Sequence, residues 1–175
     1  MAARKAGDWI ESFLKLTENT EPPKLYRKWT AISTLASAMR RKCALNWGNV
    51  GNFYPNMYII LVGPSGARKT TAMRLGEWYL DQTGIFKSSD SITREALIGE
   101  LESAIDTSPH DFKSHSSVTV FAEELTVFLG YNNDELMASL CAWFDCKERW
   151  TYKTKTSGEN EIPDRDWETD RKSVV

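Results

Sequence analysis

Apolar positions along the chain follow a helical period in some stretches and form short unbroken runs in others. Trp9, Ile10, Phe13 and Leu14 fall on one helical face, with Asp8 placed to cap it, and Glu21-Pro22-Pro23 closes the unit. Leu25, Trp29, Ile32, Ala36 and Met39 then make a continuous stripe, which predicts a helix over 24–42. Lys24, Arg27, Lys28, Arg40, Arg41 and Lys42 flank that stripe and read as a solvated face. Residues 43–47 read as a short strand, followed by turns at Gly48-Asn49 and Gly51-Asn52. Tyr58-Ile59-Ile60-Leu61-Val62 is an unbroken β-rich run that suits a central strand covered on both faces. Residues 63–67 break the run. A helix follows, with Ala72, Met73, Leu75, Trp78, Tyr79 and Leu80 as its apolar positions and Gly84 at its end. Leu97, Leu101 and Ile105 predict a helix over 92–105, and a polar loop spans 106–117. Val118-Thr119-Val120-Phe121 reads as a strand, 134–145 as a helix, and 150–155 as an alternating segment. Strands alternating with helices predict an α/β fold with a mainly parallel sheet.

Composition narrows the class. The 175 residues are 41% hydrophobic and 26% charged, enough for one domain, or one domain with a helical preface, and for a core without staples. Disordered, collagen-like and mucin-like classes are excluded. A net charge of −2 gives no whole-chain attraction to nucleic acid or membrane, so any such contact needs a local patch. Cys43, Cys141 and Cys146 form no CxxC, and the only histidines are His110 and His115. That pattern fits a reducing compartment and speaks against a structural zinc or histidine-rich site. Residues 1–8 are polar, and the longest apolar run, 57–62, is too short to span a bilayer. The expectation is a cytoplasmic protein with no membrane contact.

The chemistry concentrates in Gly63-Pro64-Ser65-Gly66-Ala67-Arg68-Lys69-Thr70-Thr71, which resembles the Walker A pattern GxxxxGK[ST]. Such a loop needs glycines to wrap a phosphate and aim backbone N–H groups at it. It also needs a helix N-terminus for its positive dipole end, a lysine for the β- and γ-phosphates and a hydroxyl for Mg2+. Gly63, Gly66, Lys69 and Thr70 supply these, and residues 63–71 together form the expected nucleotide-binding stretch. Arg68 departs from the pattern, which usually has glycine before the lysine. A bare match of this kind arises by chance in roughly one chain in fifteen of this size. Its position directly after an apolar strand and at the opening of a helix makes it far more specific. A glycine turn with a solvated lysine is the plainer alternative.

An ATP-hydrolysing loop of this type also needs an acidic residue at the end of a neighbouring strand. Residues 118–121 lead into Glu123 and Glu124, which fits the Walker B form. Glu123 is the expected metal-side acid, and Glu124 the general base that polarises the attacking water. A strand ending in a solvated acidic pair is the competing reading.

Beyond these motifs, Trp9-Ile10-Glu11, residues 17–23, Trp29-Thr30-Ala31-Ile32-Ser33, Tyr54-Pro55-Asn56-Met57-Tyr58 and Ser91-Ile92-Thr93-Arg94-Glu95-Ala96-Leu97 resemble a group of phage, plasmid and prophage P-loop ATPases related to primase–helicases and replicative helicases. The resemblance covers roughly residues 8–160, and an arginine before the P-loop lysine also occurs in that group. It implies a P-loop NTPase core, RecA-like or AAA-like, with a parallel sheet flanked by helices. It also implies ATP and Mg2+ as ligands, work in DNA replication and a homo-oligomeric full-length protein. Lys69 and Thr70 match the family's nucleotide positions, and Glu123 and Glu124 match its acidic pair. Gly-Pro-Ser-Gly-Ala at 63–67 is also similar to the loop of guanylate kinase. A P-loop nucleotide kinase therefore stays open, as does a nucleotide-binding module without turnover.

The expected organisation is an N-terminal helical region over 1–47, a P-loop core over 48–162 and a non-native tail over 163–175. Asp170 to Val175 back-translates to a string that resembles a sequencing-adapter read, and no strand bearing a sensor residue or arginine finger follows Glu124. The core is therefore expected to be cut short at its C-terminal side. Lys147, Arg149, Trp150, Tyr152, Lys153 and Lys155 form a dense basic–aromatic segment suited to single-stranded DNA. A solvated hairpin whose rings pack on the core accounts for the same residues.

Overall fold

The computed structural model describes residues 7–106, 115–147, 149–153 and 159–163. The chain divides into two compact units: Met1–Met39 with Pro55–Ile85, and Arg40–Tyr54 with Phe86–Val175. This division runs across the boundary expected at 47/48, because the N-terminal helices share a unit with the glycine-rich loop. The segment 164–175, which includes most of the expected tail, lies outside the described residues.

The first unit is helical. Helix α1 (Trp9–Leu16) opens as the sequence predicts, with the Asp8 carboxylate accepting the Glu11 N–H at 3.0 Å. Helix α2 (Lys24–Met39) stops short of Lys42 because Arg40 turns to φ 49°. The face it buries matches the predicted stripe only in part: Ala36 is buried and Ile32 and Met39 are half-buried, but the large residues at its start are not. Leu25 and Trp29 are exposed, whereas Arg27, Thr30, Ala31, Thr34 and Ala36 are buried. The cause lies in helix α3 (Lys69–Asp81), whose buried Gly76 faces α2. A Cβ at Gly76 would sit 2.5 Å from both Thr30 Cγ2 and Thr34 Oγ1. Small side chains let the two helices approach closely, and large ones at those positions would hold them apart. Trp9, Phe13 and Tyr79 lock α1 to α3 through ring contacts at 5.3 to 5.7 Å, and Trp9 Nε1 donates to the Ala31 carbonyl at 3.0 Å.

Arg27 is also not the solvated residue the sequence predicts. Its guanidinium is buried and donates to the carbonyls of Pro22 and Leu14, each at 3.0 Å, and to Thr17 Oγ1 at 3.2 Å. Leu14 belongs to the last turn of α1, where carbonyls lack helical partners and a cation is favoured.

The second unit holds the short strands. Strands β1 (Leu45–Asn46) and β2 (Asn52–Phe53) pair as an antiparallel hairpin around a 3-10 turn at Gly48–Val50. Strand β3 (Lys87–Ser88) precedes helix α4 (Arg94–Ser103), which Thr93 caps by accepting the Ala96 N–H at 3.2 Å. Ile105, predicted to close that helix, instead enters strand β4 (Ile105–Asp106), which pairs antiparallel with β5 (His115–Ser116). Strand β6 (Thr119–Val120) runs parallel to β3. Helix α5 (Leu125–Leu129) follows, which the sequence did not predict, then helix α6 (Asp134–Phe144). Strands β7 (Arg149–Lys153) and β8 (Glu159–Pro163) pair antiparallel, so residues 150–153 of the alternating segment form one arm of a hairpin, while 154 and 155 lie outside the described residues. Leu97, Ile98 and Leu136 are the buried apolar residues of this unit.

Among the described residues, the β3–β6 ladder is the parallel part of the structure, and the other three ladders are antiparallel. The strand expected at 58–62 joins none of them. It is not covered on both faces either, since Ile60 and Val62 are 59% and 80% exposed. A strand reaches that covered state only with neighbours beside it and helices above and below.

Candidate functional site

The glycine-rich loop is built between the apolar segment and α3, in the order the sequence predicts. Residues 64–67 form a turn closed by the Ala67 N–H to the Pro64 carbonyl at 3.3 Å. Gly66, third in that turn, has φ 78°, a value that favours glycine. Arg68 follows at φ 60° and ψ 30°, a left-handed conformation that costs a side-chain-bearing residue about 1 to 2 kcal/mol. That conformation is the one a glycine at this position would take freely. The Arg68 side chain turns to the exposed Glu21 carboxylate, with Nε to Oε2 at 2.7 Å.

Helix α3 starts at Lys69 with no side-chain cap. Its first intrahelical bond is the Ala72 N–H to the Arg68 carbonyl at 3.1 Å. The N–H groups of Lys69, Thr70 and Thr71 therefore precede the first N–H that finds a helical acceptor, and they add to the positive end of the helix dipole. The Lys69 ammonium donates to the carbonyls of Gly63 at 2.8 Å and Pro64 at 2.9 Å. Two of its three donors are thus held by the loop, which fixes the charge at the loop's mouth. Thr70 is half-buried beside it, and Ser65 and Thr71 are exposed.

Two residues that sequence reasoning missed shape this loop. Tyr26 of α2 donates its hydroxyl to the Val62 carbonyl at 2.8 Å. The same Oη fills the space a Cβ at Gly63 would need. Gly63 is therefore required by a neighbour rather than by a positive φ. Glu21 is the other, through Arg68. Neither has a local signal in the chain, because each acts across a long stretch of sequence.

The acidic pair belongs to the second unit. Glu123 and Glu124 are both exposed and follow β6 closely, as the sequence predicts. Glu124 occupies the N-cap position of α5, with its carbonyl accepting the N–H groups of Val127 and Phe128, each at 3.1 Å. Its carboxylate makes no capping bond, so it is not spent on ending the helix. The structure thus brings residues 63–71 together as one loop and sets Glu123 and Glu124 together at the end of β6. A cleft of about 450 Å3 in the second unit, lined by Thr93, Arg94, Phe128 and Asn133 among others, contains none of these residues.

Among the described residues, no three His, Cys, Asp or Glu side chains are grouped to hold a metal ion by themselves. A cation at the loop would take the Thr70 hydroxyl and phosphate oxygens, a donor set that needs no such group. No helix of the described residues is long and apolar enough to cross a membrane. Comparisons of the chain with protein-family models, with curated proteins and with solved structures found no match.

Proposed function

We propose that residues 63–71 hold the triphosphate of ATP, and that the chain is the nucleotide-binding part of a P-loop ATPase of the kind that drives DNA replication helicases. One observation carries the first half: the Lys69 ammonium is fixed by two loop carbonyls at the uncapped N-terminus of α3. An anion at that point meets a lysine, several unpaired backbone donors and the helix dipole together. The Thr70 hydroxyl is the residue available to a Mg2+ ion, which when bound supplies charge neutralisation on the phosphates. The motor reading and the metal-side and general-base roles of Glu123 and Glu124 rest on the sequence pattern and on the family resemblance.

A fluorescent ATP analogue titrated into the protein tests it. Saturable binding is expected, with loss of at least tenfold in affinity for Lys69→Ala. Equal, flat traces for both proteins would end the proposal. Phosphate release measured in parallel separates an ATPase from a module that only binds, and Glu124→Gln is expected to lower release while leaving analogue binding intact.

A further inference from the structure

The β1–β2 hairpin exposes a ring-bearing face that the nucleotide reading does not use. Leu45, Trp47 and Phe53 are 61%, 63% and 51% exposed. Leu45 pairs with Phe53 across the ladder, and Trp47 is two residues along from Leu45, so the three share one face. The Trp47 and Phe53 rings lie 5.8 Å apart at 66°. Asn46 and Asn52 occupy the opposite face, joined side chain to side chain at 3.0 Å.

The hairpin is built to hold that display. The Asn46 carboxamide oxygen accepts the Gly48 N–H at 3.1 Å, and the Trp47 N–H donates to the Gly51 carbonyl at 2.9 Å. Gly48 and Gly51 adopt φ 53° and 118°, where a side chain would be strained. At its base Arg41 stacks on Tyr54, with Cζ 4.2 Å from the ring centroid. A firm hairpin with large bare rings on one face is costly in water, and a partner that covers the rings recovers that cost.

Charge selects the partner. Residues 40–54 contain Arg40, Arg41 and Lys42 and no Asp or Glu. A basic segment with exposed rings matches a polyanion whose flat groups are free to stack. Duplex nucleic acid keeps its bases stacked inside and offers the rings nothing. We propose that the β1–β2 hairpin binds single-stranded nucleic acid, with bases stacking on Trp47 and Phe53 and the basic residues of 40–42 meeting the backbone phosphates. The hairpin lies far along the chain from the 147–155 segment, although Arg41 at its base also donates to the Cys146 carbonyl at 3.4 Å.

Fluorescence anisotropy with a labelled oligothymidylate and a duplex of equal length tests the proposal in the intact protein. Binding to the single strand is expected to exceed binding to the duplex and to weaken as salt rises. Trp47→Ala combined with Phe53→Ala is expected to weaken single-strand binding roughly tenfold or more. ATP-analogue binding and the circular dichroism spectrum should stay unchanged, which keeps this result separate from the fate of the nucleotide reading. Trp47→Phe keeps a stacking face and should retain binding, whereas Trp47→Leu keeps only apolar bulk and should lose it. Unchanged affinity in the double variant, equal binding of the duplex, or full retention by Trp47→Leu would each overturn the proposal, the last pointing to a protein partner for the apolar face.

Discussion

At the scale of single residues, the loop is held by contacts that reach far along the chain. Gly63 lies under the Tyr26 hydroxyl, which also fixes the Val62 carbonyl. Gly63→Ala is therefore expected to push α2 and the loop apart and to weaken ATP-analogue binding about tenfold. The Tyr26→Phe change removes the obstructing oxygen at the cost of one hydrogen bond, worth about 1 kcal/mol. Combined with Gly63→Ala it should recover part of the lost affinity. Analogue titrations of the single and double variants check this, and a double variant no better than Gly63→Ala would show that the loop fails for another reason. Lys69, Thr70 and both loop glycines were legible because their chemistry is tied to a fixed local spacing. Tyr26 was not, because nothing in the residues around it records that it meets Gly63.

At the scale of elements, the first cap and the covered face of α1 were readable, and the face of α2 only in part. Asp8 caps α1 as its side chain and position predict, and Phe13 is buried on the predicted face. Asn133, which the sequence analysis did not single out, caps α6 by accepting the Leu136 N–H at 3.1 Å. Caps are short-range events set by one polar side chain at the start of an apolar period. The face α2 buries was misread in part because hydrophobic patterning looks for large side chains. The contact with α3 is made by Thr30 and Thr34 against Gly76, where what matters is how near two helices can come. Gly76→Ala puts a methyl group against two stiff β-branched side chains. The gain in helix propensity, about 1 kcal/mol, is smaller than an overpacking cost of about 1 to 3 kcal/mol. A net loss of stability is expected, read as a lower Tm; a higher Tm would mean that α2 can yield. Ile105 left its predicted helix for the same kind of reason, since a spacing of four does not tell where a helix hands over to a strand.

At the scale of the whole molecule, helices and strands both occur, but among the described residues the strands are short and three of their four ladders are antiparallel, where a mainly parallel sheet was expected. The parallel pairing of β3 with β6 was not legible because Lys87 and Ser88 form no apolar run, and only their partner strand gives them a role. The segment 58–62 was legible as apolar and extended, but its pairing depends on neighbours that no local pattern specifies. With Ile60 and Val62 exposed and no ladder beside them, this segment is a template for association. Light scattering is expected to show growth of larger species as protein concentration rises, and Ile60→Lys is expected to suppress it. Equal association by the Ile60→Lys variant would place the sticky surface elsewhere.

The interleaving of the two units along the chain bears on how the loop can be taken apart. The glycine-rich stretch starts well past residue 48, yet the Gly76 face and the Tyr79 ring rest on helices encoded before residue 40. A gene fragment beginning at residue 48 would keep every letter of the motif and discard its foundation. A piece of the chain that is to keep the shape of this loop has to carry the two leading helices as well, from about Asp8 onward.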